Sequence, residues 1–596
     1  PPPPPPPPPA AAATAPAAAT AAATAAATAA KRKQPAGAEA EADRATLNVL
    51  ELYAGSGGLS FAEQAGKDEP AVREARLLTR WCVEWSAEEA QTLRKNHPDS
   101  RVFHLDVEVF LGVCRKWARM VAGAHKAPKP SGGGGKKQGK GASAGGGGKR
   151  GAKERERERE RPLEVLDVRG EEHEVQYLCR FAKGAPRWVE VEEVEGDDDA
   201  VPDELIAPFV RAHRASLPLP ENVDCVTGGP PCQGVSGFNL FRHAGDPMTD
   251  SKNRQTLIFA DMCKLQRPRF VIMENVVGIL MFAESLVLKR CMASFLGGGY
   301  QLSVGVCVSG TFGLPQNRAR TIVFGARADV ALPAYPRPTH KLPQVPISMM
   351  TTWMKTHLLN VPAADDATVA EPLTLRDAFS DLPSIKARTR EFGTNEQNRC
   401  DKQTTPTAHR ATRYAGKTSG GAAVGPTHDF QRAARAGCDG DELHDHESFV
   451  LNGDDQERVE AVPLVAPPGA GRPPCWRDIP QGKLTKTGKP LVPDYAMSYR
   501  RVNACFGRLA WSDIVPTVVC RPEPHNRPII HPDENRILSI RENARIQGFP
   551  DWYEFCGGIY ARYRQVGNAV SPKLAERLGL QILRAFTGAP AHGAGH

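Results

Sequence analysis

The sequence predicts an α/β fold built on a doubly wound, mostly parallel sheet, and three observations support that prediction. Short apolar runs typical of buried strands alternate with stretches of helical periodicity along much of the chain. The first strand runs into a glycine-rich turn at 54–58, and a later one, beginning at Val223, ends in a Gly-Gly-Pro-Pro-Cys loop. Open α/β sheets place ligands and reacting groups at such strand ends.

Composition sets further bounds on the class of protein. The 596 residues suffice for more than one domain, and the formal net charge of +8 permits a nucleic-acid partner without requiring one. The 14 cysteines include no C-x-x-C pair, so no metal site is predicted, and their scatter is typical of a reducing compartment. No apolar run reaches membrane length, and no secretory signal is visible. Lys31, Arg32 and Lys33 are a candidate nuclear address, although three basic residues also occur by chance.

Changes in composition divide the chain into segments. Polyproline, Ala/Thr repeats, a Gly-rich basic stretch and a Glu-Arg repeat have too little apolar surface to fold alone. Three alternating strands and a helix follow as a small β-rich module, and a later region rich in Pro, Gly and basic residues shows little periodicity. The segments we expect are a disordered tail (1–46), the first part of the α/β domain (47–119), a flexible charged linker (120–161), the β-rich insert (162–215), the second part of the α/β domain (216–331), the irregular region (332–524), closing motifs of the α/β domain (525–586) and a disordered tail (587–596).

Three strand ends in the first part of the α/β domain suggest a nucleoside-containing cofactor. The glycine-rich turn, followed by a predicted amphipathic helix around 61–64, lets a ligand approach the backbone closely. Glu84 ends the second strand and can accept hydrogen bonds from ribose hydroxyls, and the neighbouring Trp85 can stack on a purine. Asp106 ends the third strand and can bind an adenine amino group. The alternative is packing, with glycine needed for a tight turn and tryptophan for the core.

Cys232, at the tip of the Pro-Pro loop, is a candidate nucleophile, since a rigid strand-end loop can hold a thiol against a substrate. The alternative is a small buried cysteine, because free cysteines are among the most buried residues. Three other elements accompany it, and each has an ordinary explanation of its own: a strand-end cap, a solvated face or a turn. They contain Glu274 and Asn275, then Gln316, Arg318 and Arg320, and finally Gly567 and Asn568 before a helix. No ordinary explanation accounts for all four elements together.

In this order the four elements resemble the motif series of the DNA cytosine-5 methyltransferases, and the likeness covers most of 47–586. The runs P-P-C-Q-G-V-S-G-F-N-L-F-R, E-N-V-V-G-I-L-M-F and R-E-N-A-R-I-Q-G-F-P-D are similar to those of the plant-type chromomethylases. The resemblance implies a Rossmann-like, S-adenosylmethionine-dependent methyltransferase domain, interrupted by a chromodomain at the position of the β-rich insert. It also implies that the irregular region is a target-recognition domain that binds duplex DNA.

Residue by residue, the resemblance implies a covalent mechanism on a cytosine flipped out of the duplex. Cys232 would add as thiolate to C6, Glu274 would hold the proton at N3, and Arg320 would contact O2. Arg318 would contact the DNA backbone near the flipped nucleotide, and nearby arginine would favour the thiolate. The implied cofactor-binding residues are Tyr53, Gly55, Ser56, Gly57, Gly58 and Leu59 in the turn, Glu84, Trp85 and Asp106 at the strand ends, and Asn568, Ala569 and Val570 closing the site.

Candidate DNA contacts in the irregular region are His340, Lys489, Tyr495, Arg500 and Arg501. The resemblance implies a nuclear enzyme that prefers non-CG cytosines, especially in the CHG context. Two other functions remain open: a tRNA cytosine-5 methyltransferase, which one branch of the same fold represents, and a non-catalytic chromatin-binding regulator. The long irregular region and the insert argue against the tRNA branch, and the presence of Cys232 and Glu274 argues against the regulator.

The insert departs from the chromodomain pattern at the positions that bind methyl-lysine. Chromodomains surround methyl-lysine with about three aromatic side chains, which act by cation–π attraction. Leu163 and Phe181 stand at two of those positions, Trp188 is expected in the core, and the third aromatic has no equivalent. We therefore expect weak or no binding of a methyl-lysine histone tail. We do not expect residues 1–46 to form the bromo-adjacent-homology domain of chromomethylases. Either the sequence begins downstream of that domain, in keeping with its first residue, a proline, or the protein lacks the domain.

Overall fold

The structure, a computed structural model, describes residues 44–590 except 68, 123–161, 172, 182–183, 191–200, 202, 236–246, 343–349, 361–365, 386–408, 415–416, 439, 499–504, 522 and 526. The predicted N-terminal tail up to residue 43, and the predicted linker from residue 123, lie outside the described residues. Residues Thr46–His596 form one compact unit. No helix in the described part of the chain is both long and apolar enough to span a membrane.

The longer strands are rich in β-branched and aromatic residues, which favour extended backbone. The strands of the described residues are β1 (Ala45–Leu52), β2 (Ala75–Glu84), β3 (Arg101–His104), β4 (Pro162–Glu171), β5 (Glu174–Phe181), β6 (Arg187–Glu190), β7 (Cys225–Gly228), β8 (Phe270–Val276), β9 (Tyr300–Val308), β10 (Gln316–Asn317), β11 (Ala319–Arg327), β12 (Leu359–Asn360), β13 (His409–Arg413), β14 (Glu442–Ser448) and β15 (Val515–Pro516).

Eight of these strands form the central sheet, in the order β12-β9-β11-β8-β7-β1-β2-β3. Parallel pairing joins β1 to β7, β7 to β8, β2 to β3 and β9 to β12, whereas β11 lies antiparallel between β8 and β9. The predicted α/β fold with a mostly parallel sheet is therefore confirmed. The three predicted strands of the insert form a separate antiparallel sheet, in the order β4-β5-β6.

Helices connect the strands and cover the sheet, so the central strands are mostly apolar. The α-helices of the described residues are α1 (Ala87–Asn96), α2 (Val107–Ala122), α3 (Asp203–Ala212), α4 (Ser251–Gln266), α5 (Leu286–Gly297), α6 (Thr352–Leu358), α7 (Leu375–Phe379), α8 (Asp429–Arg435), α9 (Gly453–Ala461), α10 (Asp494–Ser498), α11 (Ile540–Gln547), α12 (Ile559–Asn568) and α13 (Pro572–Thr587).

The structure corrects two local predictions. The helix predicted around 61–64 is a 3-10 helix, Leu59–Gln64, whose first four residues are buried. The predicted Gly-Asn turn is helical, because Gly567 and Asn568 are the last two residues of α12. Close packing explains the glycine: a Cβ on Gly567 would lie 2.6 Å from the backbone nitrogen of Cys520.

The insert is packed into the core of the α/β domain. Val165, Val168 and Tyr177 of the insert belong to the same buried cluster as Phe110 and Trp117 of α2. The indole Nε1 of Trp117 donates a hydrogen bond to the Tyr177 hydroxyl at 3.0 Å. Three short strands bury too little apolar surface to be stable alone, so the shared core explains how this small sheet persists.

The irregular region has little regular secondary structure but a hydrophobic cluster of its own. Its buried members include Trp476, Ile479, Leu491 and Phe506, which pack with Ile530. A second contact ties the region to the closing motifs through Arg545 of α11, which is 0% exposed. Arg545 Nη2 lies 2.6 Å from Asp551 Oδ2, and its Nη1 pairs with Asp381, which follows α7.

We expect Arg545→Met to destabilise the fold by roughly 3–5 kcal/mol, because it removes the buried charge shared by two buried carboxylates, of which Asp381 keeps Arg435 and Asp551 keeps the Tyr414 hydroxyl. Urea unfolding would measure the change. The matched control is Arg432→Met, which breaks an exposed pair with Asp429 on α8 and should cost less than about 1 kcal/mol. Equal losses of unfolding free energy in the two variants would contradict the importance that we assign to the buried Arg545 ion pairs.

A second prediction concerns Glu51 of β1, which is 1% exposed and accepts a hydrogen bond from the Ser60 hydroxyl. Burial raises the pKa of Glu51 from 4.5 to about 8. The folded state therefore binds a proton that the unfolded state releases between these values. The stabilisation from Glu51 is fully present below the pKa that this group has in the unfolded state. It is lost as the pH rises through the pKa that the group has in the folded state.

Glu51→Gln should therefore flatten the decline in unfolding free energy between about pH 5 and about pH 8, a decline of at most about 1.4 kcal/mol per pH unit for one proton. Urea unfolding at a series of pH values would measure it. Glu74→Gln, at an exposed position, should follow the wild-type profile. A Glu51→Gln profile as steep as wild type would contradict the prediction.

Candidate active site

The Cys232 loop is held by hydrogen bonds on both sides. The side chain of Asn275, in β8, donates through Nδ2 to the carbonyl of Pro230 at 3.1 Å. The backbone nitrogen of Val235 donates to the carbonyl of Cys232 at 3.1 Å, which closes the turn after it. The prolines restrict the intervening backbone further. The half-buried thiol of Cys232 therefore has a fixed position beyond the end of β7.

Strand pairing brings Glu274 and Arg320 together. In the β8–β11 pair, Glu274 lies opposite Ile322 and Arg320 lies opposite Val276, so the two charged side chains share one face as diagonal neighbours. Arg320 Nε lies 2.8 Å from Glu274 Oε1, and the two side chains are only 12% and 10% exposed, respectively. Glu274 also reaches the cysteine loop, since a Cβ on Gly229 would lie 3.0 Å from Glu274 Oε2.

Opposing effects act on the Cys232 thiol. Burial raises its pKa above the ordinary value, and the charge of Glu274 raises the pKa further. The guanidinium groups of Arg320 and Arg318 lower it, but they do not outweigh the first two effects. The thiol is therefore mainly protonated at neutral pH in the free protein. The expectation that the arginines would favour the thiolate holds for the direction of their effect and not for the net pKa.

Arg318 is bonded to the protein on several sides. Its side chain is 1% exposed, and its guanidinium donates to the carbonyls of Gly567 at 3.0 Å, Ala569 at 3.0 Å and Val518 at 3.3 Å. Burial lowers the pKa of Arg318 to about 9, which leaves the group charged at neutral pH. This geometry corrects the expectation that Arg318 contacts the DNA backbone, because a buried guanidinium occupied by carbonyls cannot also reach a phosphate.

Gln316 and Arg318 together form a brace, by which we mean the set of hydrogen bonds that holds the closing motifs in place. Its Nε2 donates to Gln547 Oε1 at 2.6 Å, and its Oε1 accepts from the backbone nitrogen of Val518 at 2.8 Å. Gln547 in turn donates to the carbonyl of Ala569 at 2.5 Å. Gln316 and Arg318 therefore position the closing motifs against the sheet, while Arg320 alone of the three faces Glu274.

The ends of strands β1 and β2 form a corner beside the glycine-rich turn. Gly55 has a φ of +55°, and no described atom lies within 4 Å of a Cβ built on it, so the backbone is open on that side. Its nitrogen donates to Glu84 Oε2 at 2.7 Å, and Glu84 Oε1 accepts from the nitrogen of Ser86 at 2.9 Å. Burial raises the pKa of Glu84 to about 7. An open glycine backbone beside a fixed carboxyl group is suited to a ribose with two hydroxyls.

The other residues of the turn are held by packing. A Cβ on Gly57 would lie 2.8 Å from the Tyr553 hydroxyl, and one on Gly58 would lie 2.3 Å from the carbonyl oxygen of Val570. Ser56 and Leu59 are 1% and 4% exposed. Close packing, the alternative explanation for this turn, therefore accounts for these four positions. Val570 packs directly against Gly58.

Four further predicted residues border the same corner. The hydroxyl of Tyr53 donates to Gln255 Oε1 at 2.8 Å, which fixes its ring against α4. Asp106 precedes α2 and accepts from the nitrogen of Glu108 at 2.7 Å. Trp85 is 58% exposed, so it is not a core residue. Asn568 is exposed at the end of α12, where its Oδ1 accepts from the thiol of Cys520 at 2.9 Å.

Sequence reasoning missed Glu51, Cys520 and His173. Glu51 is a carboxyl group beneath the glycine turn, and the only signal for it was one acidic residue inside an apolar strand. Cys520 lies close enough to Cys232 for their charges to interact. His173, in the insert, stacks on Trp85 with ring centroids 3.8 Å apart. The positions of Cys520 and His173 depend on tertiary packing, which leaves no local pattern.

Three of the candidate DNA contacts lie among the described residues. Lys489 Nζ lies 2.6 Å from Asp454 Oδ2, and His340 Nδ1 lies 2.9 Å from the hydroxyl of Thr339. Tyr495 is 42% exposed on α10. The other two candidates, Arg500 and Arg501, lie outside the described residues.

Comparison with curated proteins finds similar chains in plants. DNA (cytosine-5)-methyltransferase 2 of Zea mays is 33% identical over 577 residues, a match that covers 91% of this chain and 58% of that one. DNA (cytosine-5)-methyltransferase CMT3 of Arabidopsis thaliana is also 33% identical over 577 residues, with 91% and 65% covered. This chain therefore spans about three fifths of the length of the curated relatives it matches.

Among solved structures, a candidate DNA modification methyltransferase encoded within an Escherichia coli prophage aligns with a TM-score of 0.44 at 18% identity, covering 91% of this chain and 99% of that one. Both values are too low to inform function. A family model gives the stronger result, since the one described as C-5 cytosine-specific DNA methylase matches residues 210–584, well over half of the chain. The chain belongs to the C-5 cytosine-specific DNA methylase family.

Proposed function

We propose that this protein is a DNA (cytosine-5)-methyltransferase that methylates C5 of a cytosine flipped out of duplex DNA. The observation that supports this best is the Glu274–Arg320 pair, with 2.8 Å between Oε1 and Nε, beside the fixed Cys232 loop. The curated relatives carry the name DNA (cytosine-5)-methyltransferase, in agreement with the proposal. Flipping is required because C6 of a stacked cytosine cannot be reached by a side chain.

The proposed chemistry begins with the weak electrophilicity of cytosine, which needs a nucleophile at C6 and a proton at N3. The Cys232 thiol gives up its proton as its sulfur forms a bond to C6, and that proton passes to N3 by way of the Glu274 carboxyl group. The Arg320 guanidinium, already aligned by Glu274, donates to O2. C5 then gains the methyl group, a base removes the C5 proton, and the electron pair released at C5 expels the Cys232 sulfur from C6.

The protonated state of the Cys232 thiol in the free protein affects this order of chemical steps. Burial and Glu274 keep the Cys232 pKa raised until substrate arrives. A bound cytosine whose protonated N3 pairs with the Glu274 carboxylate would offset that negative charge and so weaken one of the effects that raise this pKa. Thiolate formation is then coupled to binding of the correct base, and the thiol is protected from other electrophiles in the free protein.

S-adenosylmethionine would supply the methyl group as an electrophile. In the proposed arrangement Glu84 holds the ribose hydroxyls, Asp106 holds the adenine amino group, and the open backbone of Gly55 allows close approach. Asn568 lies at the exposed end of α12 and closes the corner. Arg318 and Gln316 act as positioning residues, because their hydrogen bonds keep the segment at 567–570 against the sheet.

The finer assignments follow the resemblance. We infer that 332–524 is the target-recognition domain, that 162–215 is a chromodomain-like insert and that the protein acts on chromatin in the nucleus, with preference for non-CG cytosines such as CHG. In the insert, Leu163 is 56% exposed, while Phe181 is buried under the guanidinium of Arg187 at 4.2 Å. The face of Phe181 is thus occupied, which supports weak or no methyl-lysine binding by this insert.

Duplex DNA carrying 5-fluorocytosine should trap the protein as a covalent adduct when S-adenosylmethionine is present, because fluorine at C5 cannot be removed as a proton. Cys232→Ala should abolish the adduct. Cys520→Ala, at the neighbouring thiol, should retain it. Denaturing electrophoresis and peptide mapping would locate the bond. An adduct that persists in Cys232→Ala, or methyl incorporation into tRNA and not into DNA, would overturn the proposal.

Glu274→Gln should lower kcat for methyl transfer to DNA by roughly 100-fold or more, because the amide cannot share a proton with N3. Gln keeps the size of the side chain and an acceptor for Arg320, so the melting temperature and the affinity for S-adenosylhomocysteine should change little. Glu164→Gln, which alters an exposed pair in the insert, is the matched control. Full activity of Glu274→Gln would contradict the role assigned to Glu274.

A further inference from the structure

The hairpin between β4 and β5 of the insert reaches the corner assigned to the cofactor. Glu171 of this hairpin accepts from Arg94 Nη2 at 2.9 Å and lies 3.2 Å from His104 Nδ1. The backbone nitrogen of His173 donates to the carbonyl of His104 at 3.2 Å. A Cβ on Gly170 would lie 2.4 Å from Leu105 Cγ, so the hairpin packs directly on the segment after β3.

This contact brings an aromatic ring of the insert onto Trp85. The rings of Trp85 and His173 are stacked, with centroids 3.8 Å apart and planes inclined by 25°. His104 supports both, since its Nε2 lies 2.9 Å from the Trp85 carbonyl and its ring centroid lies 4.7 Å from that of His173. Asp106 is near enough for its charge to act on the His173 imidazole. The insert thus contacts Trp85 and lies near Asp106, both of which border the cofactor corner.

The stack restrains a side chain that would otherwise be free to reorient. Trp85 directly follows Glu84 and is 58% exposed, so the central sheet does not hold its indole in place. A ring stacked on one face limits the rotamers of the indole and leaves the remaining surface for a ligand. A platform that is ordered before binding loses less entropy when a ligand stacks on it.

We propose that the insert completes the cofactor site, with His173 as a positioning residue that holds the Trp85 indole as a platform for the adenine of S-adenosylmethionine. The insert then sets cofactor affinity through its hairpin, whether or not it binds a histone tail. The proposal rests on the proposed function in one respect, since that function identifies the cofactor.

The test compares three variants of the full chain by calorimetric titration with S-adenosylhomocysteine. His173 has a φ of +73°, and Asn tolerates this left-handed backbone, so His173→Asn removes the ring with little added strain. His173→Phe keeps an aromatic ring, although Phe tolerates the backbone less well. Arg180→Ala, which breaks an exposed ion pair with Glu164 on the same small sheet, controls for general damage to the insert.

We expect His173→Asn to weaken binding by about fivefold to tenfold, as loss of one aromatic pair would. His173→Phe should bind within about twofold of wild type, and so should Arg180→Ala. Because Phe is the more strained replacement, better binding by Phe than by Asn must come from the ring. The melting temperatures of the free variants should be similar, and kcat at saturating cofactor should be unchanged.

Two results would overturn the proposal. Unchanged binding by His173→Asn would show that the stack is only packing, and tighter binding would show that His173 occupies the place of the adenine. Failure of the wild-type protein to bind S-adenosylhomocysteine would instead overturn the proposed function, so the two failures are distinguishable.

Discussion

The antiparallel insertion of β11 between β8 and β9 is the constraint on which the candidate site depends. In a wholly parallel sheet, the chain that leaves β8 at its carboxyl end would not re-enter the sheet beside that end. Because β11 runs antiparallel, its first residues lie beside the last residues of β8, and the register sets Arg320 diagonally across from Glu274. The resulting pair is nearly buried, which gives the carboxyl group and the guanidinium a fixed relation that exposed side chains would not have.

A second constraint is the brace formed by Gln316 and Arg318. Both side chains are buried, and they bond to backbone groups that lie some two hundred residues later in the chain. Hydrogen bonds from a charged guanidinium to buried carbonyls are strong, and their loss would leave those carbonyls unsatisfied. The segment at 567–570 is thereby held between the sheet and the glycine turn. Distant parts of the chain thus meet in one wall of the site.

The sequence predicted the central strands well because strands covered on both faces are apolar along their length. It also placed Glu84 at the end of β2 and Glu274 near the end of β8, because an acidic residue after an apolar run indicates where a buried strand ends. It could not predict which way Arg318 points, since period-two alternation places Arg318 and Arg320 on one face and the chain changes strand between them. Gly-Asn is typical of turns, yet Gly567 lies in α12, where the close approach of Cys520 leaves no room for a side chain. The Trp85–His173 stack joins two segments that only the tertiary fold brings together.

The contact between Gly58 and Val570 has a consequence for biosynthesis. A Cβ on Gly58 would lie 2.3 Å from the carbonyl oxygen of Val570, so the glycine loop and this late segment are in direct contact. A ribosome delivers the first of these residues near the beginning of the domain and the second close to the end. The nascent polypeptide therefore cannot finish the glycine loop while it is being translated, and the loop reaches its final packing only after nearly the whole domain has been released.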